Sequence, residues 1–178
     1  IYAMGGKPVT VLAMVTVPFG KPAVVKSLLR QLLAGAKYQL ELDDVELIGG
    51  HTTEGSDLSL GFAVNGIVGE EQVLRKSGML PDQVLILTKA LGTGTVFAAD
   101  MQCKARGTWV DNAIRSMKLR NADALEIFRT NGVTACTDVT GFGLAGHLYE
   151  MMTASKCGVC IKLEGLPILE GSLNTLRD

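Results

Sequence analysis

The chain has 178 residues, 47% hydrophobic and 20% charged, with a formal net charge of −1. Acids and bases are interleaved without a basic stripe, which argues against nucleic acid as the main partner, and no apolar stretch reaches the roughly 18 residues of a membrane span. So apolar a chain can offset its ordering entropy, as a globular protein of one domain or two small ones. The first residue is Ile, and Ile1–Gly6 has neither the basic start nor the apolar run of a signal peptide, so the sequence reads as cut, processed or partly represented, with a cytoplasmic location expected.

Val9–Val17 predicts a strand with Val9, Val11, Ala13, Val15 and Val17 on one face; the other face is also fairly apolar, which predicts burial on both sides. Pro22 suits the first turn of a helix over Lys21–Leu42, with Val25, Leu28, Leu29, Leu32 and Ala36 as its apolar stripe. Val45–Ile48 is a short apolar run followed by Gly49-Gly50-His51-Thr52-Thr53, and Leu58–Val68 alternates as a strand. Residues 69–81 are polar and Gly-containing and mark a domain boundary, giving domains 1–72 and 73–178.

Beyond the boundary, Val84–Thr88 suits a central strand, Val96–Lys104 a helix, and Trp109–Thr130 one long helix with Thr108 as N-cap and Asn131-Gly132 as its stop. Val133–Thr137 and Val159–Leu163 predict further strands around a helix at Gly143–Ser155. This order is that of a layered α/β or α+β protein in two parts.

Three segments can carry chemistry. In Gly49-Gly50-His51-Thr52-Thr53-Glu54-Gly55, paired glycines after a strand admit an anion close to backbone N–H groups, and a tight turn explains them equally well. Thr88-Lys89-Ala90-Leu91-Gly92-Thr93-Gly94-Thr95 has the outline of a phosphate cradle without the Gly-Lys-Ser/Thr of a Walker loop; a structural turn is the favoured reading. In Thr137-Asp138-Val139-Thr140-Gly141-Phe142-Gly143, Asp138 can serve a hard cation such as Mg²⁺ or cap the next turn. Cys157-Gly158-Val159-Cys160 is half a zinc site at most, and ordinary reduced cysteines are the favoured reading for all four.

Together these segments resemble the selenophosphate synthetase (selenide, water dikinase) family, within the aminoimidazole-ribonucleotide synthetase-like, or PurM-like, superfamily. The resemblance runs nearly end to end, through Ile1-Tyr2-Ala3-Met4-Gly5-Gly6-Lys7-Pro8, Gly49-Gly50-His51-Thr52, Gly61-Phe62-Ala63-Val64-Asn65-Gly66 and Val84–Lys89 with Leu91-Gly92-Thr93-Gly94. Its most specific part is Thr137-Asp138-Val139-Thr140-Gly141-Phe142-Gly143-Leu144 with Gly146-His147-Leu148.

The resemblance implies an α+β, PurM-like two-domain architecture: the later part of an N-terminal ATP-binding and dimerisation domain, and the earlier part of a C-terminal α/β domain. It implies synthesis of selenophosphate, AMP and phosphate from ATP, selenide and water, supplying selenium for selenocysteine and selenouridine. Magnesium would hold the triphosphate, potassium would assist, and the working form would be a homodimer. Asp138 matches a magnesium ligand; Gly49, Gly50 and His51 match a segment that contacts ATP across the dimer; His147 is expected to pack or cap a helix. The family's nucleophilic Cys or selenocysteine and its Lys fall before Ile1, so no catalytic residue is expected within this chain, and the chain alone is expected to be inactive. Another PurM-like ATP-dependent enzyme, acting on an aminoimidazole or thiamine precursor or in hydrogenase maturation, is one alternative. A non-catalytic dimerisation or nucleotide-binding module is the other.

Overall fold

A computed structural model describes residues 1–176. The chain divides into two compact units, Ile1–Val73 and Leu74–Asp178. The final residues of the second expected domain, 177 and 178, lie outside the described residues.

The first unit opens on a 3-10 turn at Tyr2–Met4, tied down by the Tyr2 hydroxyl donating to Asp43 Oδ1 at 2.8 Å. Strand β1 (Lys7–Pro18) leads into helix α1 (Pro22–Leu42), then β2 (Glu46–Gly55) and β3 (Ser59–Ile67). Pro22 lies in the first turn of α1, where its missing N–H costs nothing. The sheet order is β2-β1-β3, with β2 parallel and β3 antiparallel to β1. Two strands in parallel need a crossover, and α1 supplies it.

Burial along β1 follows period two: Val11, Ala13, Val15 and Val17 are buried, whereas Leu12 and Met14 are exposed. The buried face is the one α1 crosses. The expected burial of β1 on both sides is therefore corrected to one face, because the crossover helix covers only one side of this sheet. None of the stripe residues of α1 is fully buried.

The glycines at 49 and 50, expected to follow a strand, lie inside β2 instead. The register slips between Val11↔Leu47 and Leu12↔Gly49, so Ile48 has no partner on β1. After the slip Gly50 lies against β1 so closely that a Cβ there would stand 2.0 Å from the Ala13 carbonyl oxygen. Glycine at 50 is a condition of the β1–β2 ladder.

The second unit holds α2 (Thr93–Met101), α3 (Gly107–Lys118), α4 (Ala122–Thr130), α5 (Leu144–Ser155) and the single-turn α6 (Ser172–Thr175). One cluster joins Val96, Trp109 and Ala113 with Leu169; another joins Met79, Leu148 and Met151 with Ala135 and Val159. The single helix expected over Trp109–Thr130 is two. Leu119 leaves the helix at ψ 130°, and Lys89 Nζ donates to its carbonyl at 2.6 Å, stabilising the break from outside. Thr108 is not the N-cap: α3 starts at Gly107, two residues earlier than expected, behind Arg106, whose guanidinium lies over the Trp109 ring at 5.1 Å.

The strands expected at Val84–Thr88, Val133–Thr137 and Val159–Leu163 are not formed among the described residues. A strand exists by its ladder, and these segments have none; Val84 is 81% exposed. They are held by isolated contacts instead, such as the Cys136 N–H to Arg75 carbonyl bond at 2.9 Å.

Replacing Gly50 by Ala is expected to cost about 1–3 kcal/mol of stability, the range for forced overpacking. Gly61→Ala, whose Cβ would meet only Met14 Cε at 3.9 Å, is expected to change little. Urea denaturation of the two variants checks the contrast.

Candidate active-site segments

In the first unit, β2 is an edge strand, and every residue from Glu46 to Glu54 is exposed. An edge leaves alternate backbone N–H and C=O groups unpaired along its outer side. The uncovered face of the sheet carries His51 beside Met14, Gly49 beside Leu12, and Thr53 beside Thr16, the last two joined through their hydroxyls at 3.3 Å. Opposite these on β3 stand Gly61, Ala63 and Ser59. Apart from His51, the large side chains among these positions stand on the middle strand, and His51 lies beside Met14 with Gly49 and Thr53 as its same-face neighbours along β2. Gly49 and His51 share this face, whereas Gly50 is turned into the ladder.

In the second unit, Asp138 is exposed on the loop that enters α5. The loop is shaped by the Gly143 N–H bonding the Thr140 carbonyl at 3.0 Å, and Gly143 takes a φ of 83°, which favours glycine. Phe142 at its tip is 91% exposed. From below, the loop meets His147 on the first turn of α5. The Thr140 N–H donates to His147 Nε2 at 3.1 Å, and the Thr140 hydroxyl lies 2.9 Å from the same nitrogen.

Cys136 shares this neighbourhood. Burial pushes its thiol above the ordinary range, and the negative charge of Asp138 pushes it the same way, against a smaller opposing pull from the Thr137 N–H. All four cysteines are free thiols.

The Gly-rich segment before α2 has a packing explanation. Gly92 has φ 119°, and a Cβ there would stand 2.0 Å from Ser172 Oγ. Segment 167–172 is pinned over it by Leu91 N–H to Pro167 O at 2.9 Å and Leu169 N–H to Leu91 O at 2.8 Å. Lys89, the cation of that segment, is spent on the Leu119 carbonyl, and burial holds its ammonium below the usual lysine range.

No group of three or more His, Cys, Asp or Glu side chains able to hold a metal occurs among the described residues. Asp138 offers a single hard oxygen donor set. That fits magnesium of the kind held by one or two carboxylates together with phosphates and water, and does not fit an all-protein cage.

Comparison with protein families settles the lineage. The model of AIR synthase related proteins, N-terminal domain, matches residues 1–68, and that of the C-terminal domain matches residues 81–176. The chain belongs to the AIR synthase related family. Among curated members it is 41% identical over 167 residues to the selenide, water dikinase of Pelobacter propionicus, covering 94% of this chain and 47% of that protein. It is 36% identical over 178 residues to that of Geobacter metallireducens, covering 100% and 51%. The chain spans about half the length of these relatives. Among solved structures it resembles thiamine-monophosphate kinase from Stenotrophomonas maltophilia (TM-score 0.79, 21% identity, covering 95% of this chain and 54% of that one). It also resembles the hydrogenase maturation protein HypE in complex with ATP (TM-score 0.71, 15% identity, covering 99% and 53%). The α+β, PurM-like architecture that the resemblance implies is the fold this chain shares with these solved structures.

Sequence reasoning singled out Asp138 and the Gly49–His51 segment. It missed the pairing of Thr140 with His147, because a contact seven residues apart between a loop and a helix leaves no periodic signal.

The raised Cys136 thiol predicts an order of alkylation. At pH 8, exposed Cys103 and Cys160 should react with iodoacetamide before half-buried Cys136, whose rate should rise at higher pH as the thiolate forms. Asp138→Asn removes one cause of the shift and should speed labelling of Cys136, as read by peptide mass spectrometry.

Proposed function

We propose that this chain is part of a selenophosphate synthetase that converts ATP, selenide and water to selenophosphate, AMP and phosphate. The observation that carries the reading is the 41% identity to a selenide, water dikinase across 167 residues, which includes the Asp138 loop. The three phosphorus atoms of ATP are then shared among the three products, one each.

In this reading residues 1–72 belong to the N-terminal ATP-binding and dimerisation domain and 73–178 to the C-terminal domain. Asp138 supplies one carboxylate to magnesium bound with the triphosphate. The bound ion neutralises charge on the phosphates, and most of the catalysis is positioning and electrostatic stabilisation. The exposed loop, with its carboxylate turned to solvent and its backbone tied to α5, supports this role.

Gly49, Gly50 and His51 would serve the ATP site of a partner subunit in a homodimer. The exposed edge of β2 supports an association there, since its outer N–H groups and the His51 ring are open to a ligand or a neighbour. Gly50 acts indirectly, by allowing the strand to form. Potassium is the expected accessory ion and selenide the co-substrate. No described helix is long and apolar enough to cross a membrane, and the enzyme is placed in the cytoplasm by this reading.

The test is anaerobic phosphorus NMR of the whole protein with ATP, Mg²⁺, K⁺ and selenide. Selenophosphate and AMP should appear together, and Asp138→Asn should lower turnover on the order of 100-fold, the scale for losing a group that stabilises developing charge. This chain alone should give no turnover. Turnover of a thiamine or aminoimidazole substrate, with none of selenide, would overthrow the assignment.

A further inference from the structure

We propose that His147 is a positioning residue for the Asp138 loop: its Nε2 lone pair holds the Thr140 amide and thereby sets where the Asp138 carboxylate stands. This rests on the reading of Asp138 as a magnesium ligand.

The geometry assigns the tautomer. A backbone N–H is always a donor, so the 3.1 Å contact from Thr140 N requires a bare Nε2. The Thr140 hydroxyl, 2.9 Å from the same nitrogen, must then turn its hydrogen toward Nε2 as well. The proton of the neutral ring therefore sits on Nδ1.

That Nδ1 is buried and has no hydrogen-bond partner among the described residues. Glu150 Oε2 lies 3.8 Å away, beyond hydrogen-bond reach, and is already bound to Lys76 Nζ. Lys76, first by its hydrogen bond and then by its charge, holds the Glu150 carboxyl below the usual range.

A histidine satisfied on one nitrogen only is a poor choice for packing. It stands beside Leu148 in the buried face of α5, where an apolar side chain would leave no orphaned N–H. Nor does stability of the loop demand it, since Thr140 is exposed and water can take its amide. What water cannot supply is a fixed position. Val139 alone separates Thr140 from Asp138. The bond to a helix-borne ring thus holds the carboxylate's backbone at one place relative to α5. The relation is that of an outer partner to a metal ligand, whose loss typically costs 10- to 100-fold in metal affinity.

The experiment uses the whole protein. His147→Leu should raise the Mg²⁺ concentration for half-maximal activity by about 10-fold or more, speed hydrogen exchange of the Thr140 amide, and leave the melting temperature unchanged or higher. His147→Gln, whose Oε1 can accept the same bond, should recover part of the Mg²⁺ response. Asp138→Asn should impair the Mg²⁺ response while leaving Thr140 exchange slow. If exchange in His147→Leu is unchanged, or speeds up with no change in the Mg²⁺ response, the proposal is overturned. A Mg²⁺ response unaffected by Asp138→Asn overturns the ligand reading instead, and Thr140 exchange still decides whether His147 anchors the loop. Should His147→Leu fail to fold, nitrogen NMR of the unsubstituted protein decides: a proton on Nε2 refutes the proposed bond, and a bare Nε2 coupled to the Thr140 amide upholds it.

Discussion

Extended backbone has to find partners for its N–H and C=O groups, and the two units of this chain meet that constraint in different ways. In the first unit β1 is laddered on both sides, so its neighbours are set residue by residue. Everything else there follows: the crossover helix must lie on one face, the other face stays open, and the edge of β2 is left with unpaired groups. In the second unit the extended segments have no ladders among the described residues. They are held point by point, by Cys136 to Arg75, by Leu91 to Pro167 and Leu169, and by Thr140 to His147.

This difference shapes what each candidate segment can do. A ladder makes His51 and Gly49 parts of a regular surface, with spacing given by the pleat and one bulge. A point contact makes the Asp138 loop a locally adjustable element whose position depends on a few bonds. Its anchor, His147, is a side chain buried on a helix.

Glycine is required at three positions in this chain for two reasons, close packing and backbone conformation. At 50 a side chain would strike the backbone of β1, and at 92 and 143 the backbone adopts a left-handed φ, with Ser172 also packed against residue 92. None of these needs a ligand. The structural turn favoured for Thr88–Thr95 over a phosphate cradle accords with the packing of Ser172 on Gly92 and the bond from Lys89 to Leu119, whereas Asp138 keeps its exposed carboxylate.

Local pattern was enough to locate β1, α1, β3 and α5, since period two and period 3.6 report on a single segment and its own face. Motif singled out Asp138 and Gly49–His51 as candidates, since paired glycines beside a strand and an Asp in a Gly-rich loop before a helix are visible in the residue types alone. Tertiary structure decided the rest, for reasons that involve distant partners. The break at Leu119 depends on Lys89, thirty residues earlier. The apolar runs at 84–88, 133–137 and 159–163 can be extended without being strands, since hydrophobicity says nothing about who supplies the ladder. The bulge that puts Gly50 against Ala13 comes from pairing register. The value of His147 comes from a lone pair turned toward a loop amide. Composition, periodicity and motif belong to the sequence; hydrogen-bond partners, and the positions they impose, exist only once the chain is folded.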